Sequence, residues 1–150
     1  MKHWKIWAAD PKVARWFPFS CDSEEIERTA RHVFSFVPLN GVLTAECDGQ
    51  PCGLAGLILP EFRKLSHQAP FSIIVAEPYR NQGVGSLLIR SLMARAKNSF
   101  GIRLLLLEVY EGNPARSLYL RMGFVDFGFQ PCFSNVDGEL LGRHLMCKAL

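Results

Sequence analysis

Two glycines separated by a single residue, Gly83 and Gly85, stand between a short apolar run and a long amphipathic segment. Glycine has no side chain to cover its backbone, so successive N–H groups at this point can surround an anion such as a phosphate. A helix that begins here adds the partial positive charge of its N-terminus. The spacing therefore indicates an anion site made of backbone, although a purely structural strand-to-helix turn explains the glycines equally well.

Two common phosphate-binding motifs do not fit this loop. The dinucleotide-binding motif requires a third glycine where Leu88 stands, and the nucleotide P-loop ends in Gly-Lys-Ser or Gly-Lys-Thr. Neither pattern occurs around Gly83. The class of ligand must therefore come from other residues.

A second group of chemically capable residues lies further along the chain. Glu108 stands near the end of a nearly unbroken apolar run, where its carboxylate can accept a proton or can simply form an ion pair. Asn113 and Pro114 predict the start of a helix, and Gly123 predicts its end. Tyr119 falls on the apolar face of that helix, as a core residue or as a proton donor.

Together the two segments resemble the Gcn5-related N-acetyltransferase (GNAT) family. Residues 80–85 match its Arg/Gln-x-x-Gly-x-Gly/Ala loop, and residues 113–124 match its Asn, Ala, Leu-Tyr and Gly-Phe pattern. The likeness covers residues 72–124, and a looser similarity to small-amine and amino-acid acetyltransferases continues towards Met146. It implies an α/β (α+β) fold with a mixed and largely antiparallel central sheet, two splayed central strands and flanking helices.

The resemblance also implies acetyl-coenzyme A (acetyl-CoA) as the cofactor, with coenzyme A as the product. Backbone groups near Val75 are expected to pair with the pantetheine amides, and the glycine loop is expected to hold the pyrophosphate at a helix N-terminus. The implied cofactor-binding residues are Ile73, Ile74, Val75, Arg80, Asn81, Gln82, Gly83, Val84, Gly85, Ser86, Asn113, Arg116 and Tyr119.

Acetylation of an amine by a thioester requires a neutral amine, a place for the oxyanion and a proton for the departing thiolate. The resemblance implies Tyr119 as the general acid and a backbone N–H near Val75 for the oxyanion. Glu108 is the implied base, directly or through a water, and Glu111 and Glu77 are the alternatives. Four aromatic residues line the acceptor pocket or, as is more common, belong to the core: Trp16, Phe17, Phe19 and Phe36.

The hydrophobic pattern predicts the elements that position these residues. The opening segment fits helix or strand, and we favour helix; a second helix is capped by Asp22 or Ser23 and runs to about Phe36. An Asp-Gly pair at 48–49 predicts a hairpin. The remaining predictions are strands at 42–46, 53–59, 71–75 and 102–109, a helix at 83–97, and a closing strand pair at 124–129 and 142–148 joined by an irregular loop.

Composition narrows the class of protein. The chain of 150 residues is 49% hydrophobic, which suits one domain over residues 1–150, and its charge-free stretches are too short to span a membrane. Lysines and arginines are scattered and the net charge is only +3, so a nucleic-acid interface is not indicated. The histidines and five cysteines show no metal-binding spacing, and the cysteines are expected to be reduced. We therefore expect a cytoplasmic protein without a metal.

The sequence thus predicts an N-acetyltransferase that acts on a primary amine of a small molecule or amino acid by direct attack in a ternary complex. A protein N-terminus is the alternative acceptor. A non-catalytic acyl-CoA-binding sensor is an alternative of another class, as is a nucleotide- or phosphosugar-binding domain. A homodimer is compatible with an unpaired sheet edge, but no residue pattern requires one.

Overall fold

The computed structural model describes residues 1–150 and contains five α-helices and six β-strands. The helices are α1 (Lys2–Ala8), α2 (Pro11–Ala14), α3 (Ser23–Phe34), α4 (Val84–Phe100) and α5 (Ala115–Arg121). The strands are β1 (Val42–Cys47), β2 (Gln50–Leu57), β3 (Gln68–Val75), β4 (Leu104–Tyr110), β5 (Val125–Val136) and β6 (Glu139–Ala149). None of the helices combines the length and the apolar character needed to cross a bilayer.

All six strands form one sheet in the order β1-β2-β3-β4-β6-β5. Four of the five neighbouring pairs are antiparallel, and only β3 and β4 run parallel. Helices cover both faces of this sheet, so the predicted mixed and largely antiparallel fold is confirmed. The predicted hairpin is also present, with positive φ angles at Asp48 and Gly49 in the turn between β1 and β2.

The two central strands pair over only part of their length. Residues 68–70 of β3 pair with residues 104–106 of β4, and no pairs follow beyond Pro70 and Leu106. Each strand continues along its outer neighbour, β3 along β2 and β4 along β6. The sheet is therefore split at its middle, as the predicted splayed strands required.

Two hydrophobic clusters hold the helices to opposite faces of the sheet. Helices α4 and α5 pack on one face, where Leu92 is fully buried. Helices α1–α3 pack on the other face, where Trp4 is 3% exposed. Neighbouring residues of β2 divide between the clusters, with Leu54 in the second and Ala55 in the first, because strand side chains alternate between faces. Each large buried side chain contributes about 1.5–3 kcal/mol.

Local signals account for the N-terminal helices. The Asp22 side chain accepts hydrogen bonds from the backbone N–H groups of Glu24 and Glu25, which caps α3 and contributes about 1 kcal/mol. Ile26 and Ala30, four residues apart, are its buried positions. The opening segment is helical, as favoured, and α3 ends two residues before the predicted Phe36.

The closing strand pair differs from the prediction. An irregular loop was expected between residues 129 and 142, but β5 continues to Val136 and β6 begins at Glu139, joined by a tight turn. The irregularity lies inside β5, where the register shifts between Gln130 and Ser134 and Cys132 adopts a positive φ of 50°. The proline and the bulge at 131–133 interrupt the alternating pattern, and the ladder resumes after them.

Candidate active site

The split between β3 and β4 opens a cleft of about 1070 Å³. Residues from both strands line it, together with residues of α2, of the segment before α4, and of α5 and β5. Side chains on both faces of the sheet contribute, including Trp16 from the α1–α3 face and Tyr119 from the α4–α5 face. The cleft therefore passes through the sheet and can receive two molecules from opposite sides.

The edge of β3 that borders the cleft has free backbone groups. The Pro70 carbonyl accepts from Ile58 N, and Ala76 N donates to the Cys52 carbonyl, so the even-numbered residues bond to β2. Bonding direction alternates along a strand, and the N–H and C=O of Ile73 therefore face the cleft. The same holds for the N–H of Val75. These groups can pair with an extended amide-bearing ligand as a neighbouring strand would.

The anion site predicted at the glycine loop has the expected backbone form. Gly83 precedes α4 with a left-handed φ of 87°, and a side chain there would point into open space. The first hydrogen bond of α4 runs from Leu87 N to Gly83 O, so the N–H groups of Val84, Gly85 and Ser86 have no partner within the helix. No side chain caps them either. This bare helix N-terminus can bind a phosphate.

Gly85 has a different reason to be glycine. Its conformation is helical, but a Cβ at this position would lie 3.0 Å from Leu118 Cδ2 of α5. The first turn of α4 therefore lies close against α5. Gly85 and Ser86 both line the cleft, which places their backbone at the ligand.

Arg80 connects the loop to the end of β3. Its Nε donates a 3.0 Å hydrogen bond to the carbonyl of Val75, and both residues line the cleft. The remaining guanidinium N–H groups are left for a ligand. Asn81, with a φ of 59°, also lines the cleft.

Three predicted cofactor-binding residues do not line the cleft. The Gln82 side chain turns back to the Pro78 carbonyl, and the Val84 side chain packs against the core. Arg116 forms an ion pair with Asp126 of β5 at 2.6 Å. Gln82 and Val84 thus offer backbone rather than side-chain groups, the Arg116 guanidinium is paired with Asp126, and the cofactor contacts of all three stay predictions.

Asn113 and Tyr119 both line the cleft from the region of α5. The Asn113 side chain accepts from Ala115 N at 2.9 Å, which is the capping bond expected of it, although the helix begins one residue later than predicted. The Tyr119 ring packs edge-on against Phe71 and Phe124. Burial raises the pKa of Tyr119 further above its usual value near 10, so its hydroxyl is protonated at neutral pH and stays so at mildly alkaline pH.

Glu108 lies on the opposite face of the sheet from Tyr119. The alternate residues of β4, such as Leu107, belong to the cluster under α4, so Glu108 and Tyr110 point to the α1–α3 face. The Glu108 side chain is 53% exposed and forms an ion pair with Arg143 of β6. It lines the cleft without being deeply desolvated, and its role as a base stays a prediction.

Three residues beside Glu108 form a cluster that the sequence did not predict: Tyr110, Phe133 and Arg143. Tyr110 and Arg143 lie directly opposite each other on β4 and β6, and the bulge of β5 brings Phe133 onto both of them. The guanidinium carbon of Arg143 lies 3.7 Å from the centre of the Phe133 ring. These contacts depend on strand register and on the bulge, and the only sequence signal was the alternation of Glu108 with Tyr110.

The aromatic residues of the N-terminal segment divide as follows. Trp16 and Phe17 line the cleft on the α1–α3 face, which agrees with the alternative of pocket lining rather than core. Phe19 is buried against Trp4 in the core. Phe36 packs edge-on against His32 at the end of α3 and does not reach the cleft.

A sheet that parts around a cleft, with free strand edges and a bare helix N-terminus at one end, is suited to an elongated ligand that carries amides and phosphates. Residues 6–124 match the model of the acetyltransferase (GNAT) family. The chain belongs to this family, and the predicted resemblance is confirmed.

Named relatives and solved structures agree with this assignment. The chain is 35% identical over 83 residues to YwnH of Bacillus subtilis, assigned as a phosphinothricin acetyltransferase, across 51% of this chain and 50% of that protein. It is 28% identical over 107 residues to the L-amino acid N-acetyltransferase AaaT of Escherichia coli, across 71% of this chain and 66% of that one. The aligned part thus spans half to about two thirds of these relatives. The fold matches that of yncA, an assigned acetyltransferase from Salmonella typhimurium solved with its cofactor acetyl-CoA (TM-score 0.81, 18% identity, 98% of this chain and 87% of that one).

Proposed function

We propose that this protein is an N-acetyltransferase that transfers the acetyl group of acetyl-CoA to a primary amine of an amino acid or a similar small molecule. The observation that carries the proposal is the split between β3 and β4, with unpaired backbone groups along one edge and a bare helix N-terminus at its end. Membership in the GNAT family supports the same reaction class.

The residues of the cleft fit acetyl-CoA. The N–H groups at the start of α4 and the Arg80 guanidinium suit the phosphates, and the free edge at Ile73 and Val75 suits the amides of the pantetheine arm. The solved structure of yncA with acetyl-CoA supports this cofactor. When bound, acetyl-CoA supplies an activated thioester.

The chain supplies the remaining groups that the reaction needs. Tyr119 lines the cleft with a protonated hydroxyl, which can donate its proton to the departing sulfur. The N–H of Val75 faces the cleft, where it can stabilise the oxyanion. Glu108, on the opposite face, accepts the proton of the amine, directly or through a water. The acceptor and the cofactor thus approach from different faces of the sheet.

Two observations favour a small acceptor. The α1–α3 side of the cleft is lined by aromatic residues, Trp16, Phe17 and Phe133, which can pack against a small acceptor. The relatives YwnH and AaaT carry names that refer to phosphinothricin and to L-amino acids. A protein N-terminus stays the alternative acceptor.

The test is thiol release from acetyl-CoA across a panel of amino acids, polyamines, aminoglycosides and N-terminal peptides, with cofactor binding measured in parallel by calorimetry. We expect release that depends on an amino acid or small amine. Release with peptides alone would transfer the proposal to protein N-termini. Binding without release would support a non-catalytic acyl-CoA sensor, and absence of both would refute the proposed function.

A further inference from the structure

We propose that the ion pair of Glu108 and Arg143 is the binding site for a zwitterion, so that the acceptor is a free α-amino acid. Glu108 receives its ammonium group and Arg143 receives its carboxylate. This inference rests on the proposed function and names the substrate class of the same cleft. It predicts that an unmodified carboxylate next to the amine is required.

Three side chains hold the Arg143 guanidinium in place: Phe133, Gln130 and Glu108. It lies directly opposite Tyr110 in the β4–β6 ladder, and its guanidinium lies 3.7 Å from the centre of the Phe133 ring. Its Nε donates a 3.0 Å hydrogen bond to Oε1 of Gln130 on β5. The side chain is only 20% exposed. A guanidinium held in this way is oriented before any ligand arrives.

The fixed guanidinium still has free donors. Of its five N–H groups, one is used by Gln130 and one by Glu108. The others have no partner in the protein, and Arg143 lines the cleft. A carboxylate accepts two parallel hydrogen bonds from an arginine, which is more selective than pairing with a lysine.

The other cations of the cleft are less suitable for the acceptor. The Lys12 side chain is 73% exposed and pairs with Glu77 at 3.0 Å. Arg80 is bound to the Val75 carbonyl at the cofactor end, and Arg121 belongs to α5 on the other face of the sheet. Arg143 is therefore the cation that stands among the aromatic residues of the acceptor side.

Glu108 completes the match to a zwitterion. One of its carboxylate oxygens is bound to Arg143 and the other has no partner, and the side chain lines the cleft. The pair thus presents a negative and a positive group side by side. An α-amino acid presents the opposite charges on groups separated by one carbon, so the two arrangements are complementary.

Tyr110 supplies an independent observation beside this pair. The residue is 4% exposed, and its hydroxyl is buried without a hydrogen-bond partner. Ser134 acts as a weak hydrogen-bond partner that offsets part of the rise in the pKa of Tyr110 caused by burial, although the two hydroxyl groups are not in good hydrogen-bonding geometry. The Phe133 ring contacts both Tyr110, at 5.7 Å between ring centres, and Arg143. The buried hydroxyl of Tyr110 therefore belongs to the same side-chain cluster as Arg143.

The experiment compares three acceptors with the same side chain: the amino acid that the wild-type protein acetylates best, its carboxamide, and its decarboxylated amine. We measure kcat and KM for each with wild type, Arg143→Met and Arg143→Lys. Wild type should prefer the amino acid by about tenfold or more. Arg143→Met should lower kcat/KM for the amino acid by about 30-fold, mostly through KM, and should change kcat/KM for the carboxamide and the amine little. For the amino acid, the kcat/KM of Arg143→Lys should lie between those of wild type and Arg143→Met.

Arg90→Met is the matched control, because Arg90 is an exposed arginine of α4 outside the cleft. It removes the same charge and should leave the preference unchanged, and acetyl-CoA binding checks that every variant is folded. The inference is overturned if wild type has the same kcat/KM for the carboxamide and for the amino acid, or if Arg143→Met lowers kcat/KM equally for all three acceptors. Those results leave the proposed function intact, whereas acetylation of no amine at all refutes both.

Discussion

The Nε of Arg80 donates a 3.0 Å hydrogen bond to the carbonyl oxygen of Val75. This bond joins the loop before α4 to the last residue of β3, the two elements that border the cofactor end of the cleft. It fixes the arginine by one nitrogen and leaves the terminal nitrogens for a ligand. The bond therefore couples the position of the anion site to the free edge of β3.

Replacement of Arg80 should weaken acetyl-CoA binding. Arg80→Met removes both the charge and the bond to Val75, and we expect a loss of about 10- to 150-fold in affinity, since charge-assisted hydrogen bonds contribute about 1.5–3 kcal/mol. Arg80→Lys keeps the charge but cannot form both contacts, and should recover only part of the affinity. Calorimetry at low and high salt measures the effect. Equal affinity for all three proteins would show that Arg80 does not contact the cofactor.

The conformation of Gly83 allows a second test. Gly83→Ala places an ordinary residue at a φ of 87° without a steric clash, at a cost of about 1–2 kcal/mol. Gly138→Ala is the matched control, since Gly138 has a φ of 91°, also without neighbours, in the turn between β5 and β6. Both variants should lose similar stability in urea denaturation. Only Gly83→Ala should weaken acetyl-CoA binding, by about tenfold, and an equal effect of both would contradict the anion site.

Tyr119→Phe should lower turnover and leave cofactor binding nearly intact. The substitution removes the hydroxyl that donates the proton and keeps the ring contacts with Phe71 and Phe124. We expect kcat to fall by about 10²-fold. Because burial raises the pKa of Tyr119, its ionisation should not limit turnover between about pH 7 and pH 9. If Tyr119→Phe had the same kcat as wild type throughout this pH range, Tyr119 would not be the general acid.

Stability at alkaline pH should report the burial of two tyrosines. Burial is the main cause that raises the pKa of both Tyr110 and Tyr119 in the folded protein, whereas tyrosines of the unfolded chain ionise near pH 10. The contribution of these tyrosines to the free energy of unfolding is fully present below about pH 10. It is lost as the pH rises further, because the unfolded state then releases protons that the folded state retains. We expect the free energy of unfolding, measured by urea denaturation from about pH 9 to pH 11, to fall less steeply with pH in the double variant Tyr110→Phe/Tyr119→Phe than in wild type. If the free energy of unfolding fell equally steeply in both proteins, the two tyrosines would not be the cause of the alkaline loss of stability.

Local features of the sequence predicted much of the fold. Asp22 and the glutamates after it define the start of α3, and Gly83 defines the start of α4, because caps and turns are set by neighbouring residues. The same is true of the Asp48–Gly49 hairpin. The backbone anion site at residues 83–86 could be predicted for this reason, because its residues are contiguous, whereas the other cofactor-binding residues, such as Asn113 and Tyr119, were implied by the resemblance to the GNAT family.

The pairing of Glu108 with Arg143 and Phe133 could not be predicted from the sequence, although Glu108 itself was a candidate. Arg143 meets Glu108 only because β6 lies beside β4 in a particular register, and Phe133 reaches both through a bulge. Thirty-five residues separate the two members of the ion pair along the chain. No local pattern encodes such a contact. The predicted irregular loop concealed the bulge, because a proline and a cysteine in the middle of a strand resemble a connection.

The split sheet has a mechanical consequence. The ladder joins its two halves, β1–β3 and β4–β6, by only three residue pairs, all at one end of the cleft. Beyond this short joint the two arms share no ladder bonds and are held together by side-chain packing, such as that of Phe71 on Tyr119 and Phe124. A ligand seated between the arms replaces the missing ladder and stiffens the molecule. Occupancy should therefore raise the melting temperature and slow amide exchange at Ile73 and Val75, far from the joint itself.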